Sequence, residues 1–315
     1  MTALSARPAV RSAATSDYTC ALVEGPWRHE FVSSGGSRFH VATAGPESRS
    51  APLVLLLHGY PQFWWSWRAQ IPALADAGYR VAAMDVRGVG GSDKPPSGYA
   101  LTARAADVAG VVRSLGREEA VVVGHGTGGT LAWAVAALHP GTTSAVAALA
   151  SPHPARVRLR STAAFTPAAL RELAYLQVPT LPERALIQGD LVRRTLDLGA
   201  AAPLPDDVVD RYRAVMRIPF AAHSAAEALR WVVRSTPRMD GRRFGTALRR
   251  PLDVPALQLQ GARDGFLRHE RADVDANAVV SDLRYELLPG AGHFLPEEAP
   301  ERVNEILLGW LARVA

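Results

Sequence analysis

The chain has 315 residues, enough for one large domain or one domain carrying an insertion. Hydrophobic residues make up 48% and charged residues 21%, an ordinary globular balance, and no apolar run reaches the roughly 18 residues that would span a bilayer, so no membrane association is expected. The net charge of +5 comes from scattered arginines, such as Arg156 to Arg160 and Arg242-Arg243, with no zinc spacing or stacking-aromatic motif beside them, which argues against nucleic acid as a partner.

Residues 1–24 read as a flexible arm of Ala, Ser, Thr and Arg without periodicity or the apolar core of a signal peptide. The single cysteine, Cys20, excludes an internal disulfide and fits a reducing, cytoplasmic setting. Trp27 to Ala44 alternates around Ser33-Ser-Gly-Gly36, a hairpin signal. Pro52 to Leu57 is a continuous apolar strand ending in His58-Gly59-Tyr60-Pro61, followed by Gln62-Phe-Trp-Trp-Ser-Trp67 and a helix to Ala77. Tyr79 to Met84 is the next strand, running into the glycine-rich loop from Asp85 to Pro95, and Thr102 to Leu115 is helical. Val121-Val-Val-Gly-His-Gly-Thr-Gly-Gly-Thr130 then couples a buried strand to a sharp glycine turn and a helix from Leu131 to Leu138, and Thr143 to Leu149 is a further strand.

From Ser151 the texture changes. Residues 152–242 read as an inserted helical lid broken by prolines, and residues 25–151 and 243–315 as one core. The strand pattern resumes at Val254 to Gln260 and Leu283 to Leu288, each followed by a loop with a polar residue, Asp264 and His293, and a helix from Ala299 to Val314 closes the chain. Short apolar strands alternating with helices predict an α/β fold with a mostly parallel sheet covered on both faces.

In an open α/β sheet, ligands bind at the carboxyl ends of the strands. Three such ends carry Gly126, Asp264 and His293, in the order nucleophile, acid, histidine of a hydrolase triad. Gly290-Ala-Gly-His293 is a tight turn presenting a histidine, and the Asp264 carboxylate would fix its tautomer and stabilise its protonated form. The layout around Gly124, Gly128 and Gly129 is that of a nucleophile elbow, yet its centre, Gly126, has no side chain to attack with.

Together, His58-Gly-Tyr-Pro61 with Trp64 and Trp67, the Asp85 to Pro95 loop, Val123-Gly-His125, Ser151-Pro-His-Pro154 and Gly290-Ala-Gly-His-Phe294 resemble the α/β-hydrolases of the epoxide hydrolase and haloalkane dehalogenase branch, and the epoxide hydrolases most. The resemblance covers residues 25 to 315. It implies that the backbone N–H groups of Tyr60 and Thr127 form the oxyanion hole, that Tyr60-Pro61 is a cis bond, and that Trp64, His125, Tyr175 and Tyr212 face the substrate. Core packing is the competing reading for Trp64 and Trp67. The resemblance also implies an aspartate nucleophile where Gly126 stands, and a lid tyrosine near Val232-Val233. Both are absent here, which leaves Tyr175 and Tyr212 as candidate proton donors.

Without the carboxylate the covalent ester route is closed. The expected function is therefore an epoxide hydrolase-like protein whose His293–Asp264 pair activates water, or abstracts a proton as in a lyase or cyclase, on a small apolar substrate. The alternatives are a non-catalytic ligand-binding or sensor protein on the same fold, and an epoxide hydrolase altered at position 126. No cofactor or metal is expected, and the protein would act as a monomer or homodimer.

Overall fold

The computed structural model describes residues 16–154, 162–235, 238–272 and 280–315. Most of the N-terminal arm and the basic stretch from Arg156 to Arg160 lie outside the described residues. Eight strands form one sheet: β1 (Arg28–Ser34), β2 (Ser37–Ala44), β3 (Leu53–Leu57), β4 (Arg80–Met84), β5 (Ala120–His125), β6 (Thr143–Leu149), β7 (Ala256–Gly261) and β8 (Leu283–Leu288). Their order is β1-β2-β4-β3-β5-β6-β7-β8. The hairpin pairs β1 with β2, and β2 joins β4 antiparallel; every pairing from β4 to β8 is parallel.

Composition decides which strands take which place. β3 and β5 are buried at every residue, as a parallel strand covered on both faces must be, and they sit at the centre. β1 has exposed and half-buried positions and takes one edge. Two helix pairs cover the sheet: α2 (Leu101–Ser114) packs on α3 (Thr127–Leu138), and α1 (Gln70–Asp76) packs on the last helix of the chain, which spans Pro300–Val314.

Between β6 and β7 the described residues are helical: α4 (Pro167–Leu176), α5 (Leu181–Ile187), α6 (Leu191–Gly199), α7 (Asp206–Met216), α8 (Ala221–Arg234) and α9 (Met239–Ala247). The prolines that punctuate this sequence mark helix starts. Pro167 and Pro182 occupy first-turn positions, where a missing N–H costs nothing. The Thr166 hydroxyl accepts from Ala169 N at 3.2 Å and caps α4. The block is anchored to the strand-end loops of the core. The Gly199 carbonyl, at the end of α6, accepts from His293 N at 2.9 Å and from Gly265 N at 3.2 Å. After β7 come α10 (His269–Ala272), α11 (Leu295–Glu298) and α12 (Pro300–Val314). Among the described residues, no helix is long and apolar enough to cross a membrane.

The Asp85 loop has a structural role. Asp85 is fully buried and its carboxylate accepts from His40 Nδ1 at 2.9 Å, Trp64 N at 3.0 Å and Gly91 N at 2.9 Å. It thereby joins β2, the tryptophan turn after β3 and the loop after β4.

The turn that joins β5 to α3 brings backbone close on both sides. A Cβ on Gly124 would lie 2.2 Å from the Gly128 carbonyl oxygen and 2.6 Å from Gly129 N. Backbone on both sides leaves nothing free to yield. Gly124→Ala is therefore expected to lower the unfolding free energy by about 1–3 kcal/mol, the cost of overpacking a well-packed site. Urea unfolding would show it as a lower midpoint, and an unchanged midpoint would mean that the turn can relax.

Candidate active site

Gly126 caps the N-terminus of α3 with φ 53° and ψ −117°, a conformation glycine adopts freely and other residues only under strain. Its N–H donates to Leu149 O at 2.9 Å and its carbonyl accepts from Thr130 N at 3.1 Å, so the turn is held on both sides. A Cβ at this position would stand 3.1 Å from His293 Nε2. The histidine ring thus addresses the place where the turn would project a side chain.

His293 follows β8 in a loop fixed at several points. The Glu298 carboxylate accepts from Gly292 N at 2.9 Å and Phe294 N at 2.8 Å, and also from Ala201 N at 2.7 Å in the helical block. The imidazole packs edge-on against Phe266 and Phe294, with ring centroids 4.8 Å and 5.2 Å away. Its Nδ1–H donates to Asp264 Oδ2 at 2.9 Å, which leaves Nε2 as the acceptor facing Gly126. His293 keeps 8% of its surface accessible.

Asp264 is built to stay ionised. Burial pushes its carboxyl up, but the His293 imidazole and the backbone N–H groups of Leu267 and Phe266 outweigh that and hold it below the usual carboxylate range. Gln260 Nε2 adds a fourth donor at 2.8 Å.

The other residues singled out in the sequence divide into three groups. Tyr60-Pro61 is a cis bond, and Thr127 opens α3, where the first N–H groups have no partner within the helix. Tyr60 N–H has no backbone acceptor among the described residues. Its side chain rises into the helical block, where burial and the Glu172 carboxylate push its phenol well up. Tyr175 is half-buried on α4, within electrostatic reach of Tyr60.

Three residues are corrected. Trp64 has no accessible surface; its indole N–H donates to Ala21 O at 2.7 Å and it packs among Trp27, His29 and His40. It is a core residue, as is Trp67, because the short 3-10 turn from Trp64 to Trp67 buries all four of its side chains. Tyr212 is also fully buried, and its hydroxyl donates to Glu297 and accepts from Gln62 Nε2 at 3.4 Å, so it is committed to joining α7 to the core. His125 lies beneath the site with no accessible surface. Its Nε2–H donates to the His293 carbonyl at 2.7 Å, and burial pushes its pKa down to about 3, so it supports the histidine loop as a neutral ring.

Sequence reasoning missed Gln260, Glu298, Glu172 and Thr195. Gln260 and Glu298 act through geometry that no spacing rule encodes. Glu172 and Thr195 lie on separate helices, α4 and α6, and meet only in the fold: the Thr195 hydroxyl donates to Glu172 Oε1 at 2.5 Å.

A mostly parallel sheet with a glycine turn after β5, an acid after β7 and a histidine after β8 is the layout of an α/β hydrolase. Residues 52–300 match the α/β-hydrolase fold family, and the chain belongs to it. It is 34% identical to epoxide hydrolase A of Mycobacterium tuberculosis, over 89% of this chain and 96% of that protein. It is 32% identical to an AB hydrolase superfamily protein, YfhM, of Bacillus subtilis, over 90% of this chain and 97% of that one. Among solved structures, an epoxide hydrolase from an endophytic Streptomyces is similar with a TM-score of 0.76 and 30% identity, over 92% of this chain and 96% of that chain. The chain is thus an α/β hydrolase of epoxide hydrolase-like type.

The Asp264 carboxylate accepts at both oxygens, so Asp264→Asn must set its NH2 against other donors or force the His293 tautomer to change. The expected cost is about 1–3 kcal/mol at neutral pH, that of a buried group left unsatisfied. Because the folded carboxyl lies below its unfolded value, its contribution is present above the ordinary carboxylate pKa of about 3.9 and is lost as pH falls through the folded value. Urea midpoints of wild type and variant should therefore converge on going from neutral pH to about pH 3. An equally wide gap at both would contradict this origin.

Proposed function

We propose that this protein is an epoxide hydrolase-like hydrolase of small apolar substrates in which the His293–Asp264 pair activates water directly, with no ester to the enzyme. The observation that carries the proposal is the position of His293 Nε2. It is oriented as an acceptor by Asp264 and lies 3.1 Å from the point where a Cβ on Gly126 would begin. A carboxylate nucleophile would occupy that direction; glycine leaves it to water and substrate.

In this reading Nε2 takes a proton from water as the water oxygen bonds to an epoxide carbon. The carbon–oxygen bond of the ring breaks, the ring oxygen takes a proton supplied from the solvent side, and the imidazolium later returns its proton to solvent. Asp264 stays ionised and stabilises the imidazolium. The backbone N–H groups of Tyr60 and Thr127 hold the negative charge that develops on oxygen. The helical block, tied to the His293 loop through Gly199 and Glu298, serves as the lid that sets substrate size. The names of the relatives support epoxides as the substrate class.

The test is turnover of a panel of small epoxides and esters by wild type and His293→Ala. At least one epoxide should be hydrolysed, and the variant should lose about 10²–10⁴-fold, the range for removing a positioned base. Ligands that bind but are never converted would instead favour a ligand-binding protein on this fold.

A further inference from the structure

Hydrolysis without a covalent intermediate needs an acid opposite the base, and the two tyrosines proposed from the sequence do not supply it equally. Tyr212 has spent its hydroxyl on Glu297. Within the helical block a different ionisable group is held in place. Glu172, on α4, is half-buried and accepts from the Thr195 hydroxyl on α6 at 2.5 Å. Thr195 is itself 1% exposed, so this pair is held in the packed interior of the block. Tyr60 rises from the loop after β3 toward the same point, its hydroxyl buried beside Thr195. Four further groups set the field here: Tyr60 from the loop after β3, Tyr175 on α4, Arg194 on α6, and His293 from the loop after β8. Thr195 lies one turn before Gly199, whose carbonyl accepts from His293 N at 2.9 Å, so the carboxyl it holds sits on the part of the block that meets the base loop.

We propose that Glu172 is the catalytic acid of this site, the group that protonates the departing oxygen as His293 deprotonates water. The inference rests on the hydrolytic reading above. In one step the water proton passes to His293 Nε2 and the water oxygen bonds to carbon. The ring carbon–oxygen bond breaks, and the Glu172 proton moves to the ring oxygen. The products are a diol, an imidazolium and a carboxylate, and the last two return to their starting states by proton exchange with solvent. The carboxyl is suited to this role. Burial raises its pKa, and the opposing effects of Thr195, Arg194 and His293 do not cancel that rise. The hydroxyl of Thr195 keeps the carboxyl in one orientation.

The test uses whichever epoxide wild type hydrolyses in the panel above and follows kcat and kcat/KM against pH. Wild-type activity should fall on the alkaline side as the Glu172 carboxyl loses its proton. Glu172→Gln should lose about 10²–10³-fold in kcat with KM changed little, and the alkaline limb should vanish. Thr195→Val, which keeps the shape but removes a donor that favours the carboxylate, should move the alkaline limb to higher pH. That shift decides the matter if Glu172→Gln does not fold. Tyr175→Phe should leave the limb in place. A Glu172→Gln enzyme that keeps both the limb and a kcat within about threefold of wild type would overturn the proposal, as would an unmoved limb in Thr195→Val. If His293→Ala abolishes turnover in that case, the base reading stands and the acid assignment alone fails. Wild type inert toward every epoxide would overturn the hydrolytic reading and this proposal with it.

Discussion

The site depends on one steric constraint, the crossing of backbone at the end of β5. A Cβ on Gly124 would strike the Gly128 carbonyl, and one on Gly128 would lie 2.2 Å from the carbonyl oxygen of Leu57 in the neighbouring strand. The strand can turn into α3 within one residue only because those positions carry no side chain. Gly126 is thereby fixed at the mouth of the sheet with a left-handed φ, and its N–H is held by the end of β6. His293 Nε2 stands 3.1 Å from where a Cβ on Gly126 would lie.

The second requirement is an imidazole that cannot wander. Four donors converge on Asp264, a ring N–H, a side-chain amide and two backbone N–H groups. That satisfaction makes a buried carboxylate tolerable and lets it hold the His293 tautomer. His125 and Glu298 hold the loop itself from below and from the side. The Gly199 carbonyl holds it from the helical block, so movement of that block and movement of the base are mechanically linked.

The fold was legible because buried parallel strands leave a local trace. The apolar runs at Leu53–Leu57, Ala120–His125 and Thr143–Leu149 are strands within a residue or two of the sequence reading. Glycine turns likewise announced Gly126 and His293. What sequence could not show was direction. Trp64 lies four residues beyond Tyr60, close enough along the chain to suggest a ligand contact, yet the 3-10 turn drives its ring into the core toward Ala21. Tyr212 has the chemistry of a proton donor, but its hydroxyl is spent on Glu297, 85 residues away. Glu172 had no motif at all. Its place depends on Thr195, a partner on a separate helix that meets it only in the fold.

The central claim is that water attacks substrate directly, without passing through an enzyme ester. A single turnover in 18O-labelled water, with enzyme in excess over an epoxide, tests it most directly. Direct attack places the label in the diol in the first turnover and none in the protein. An unlabelled diol in that turnover, with the label appearing in an enzyme carboxylate, would establish a covalent intermediate and contradict the account.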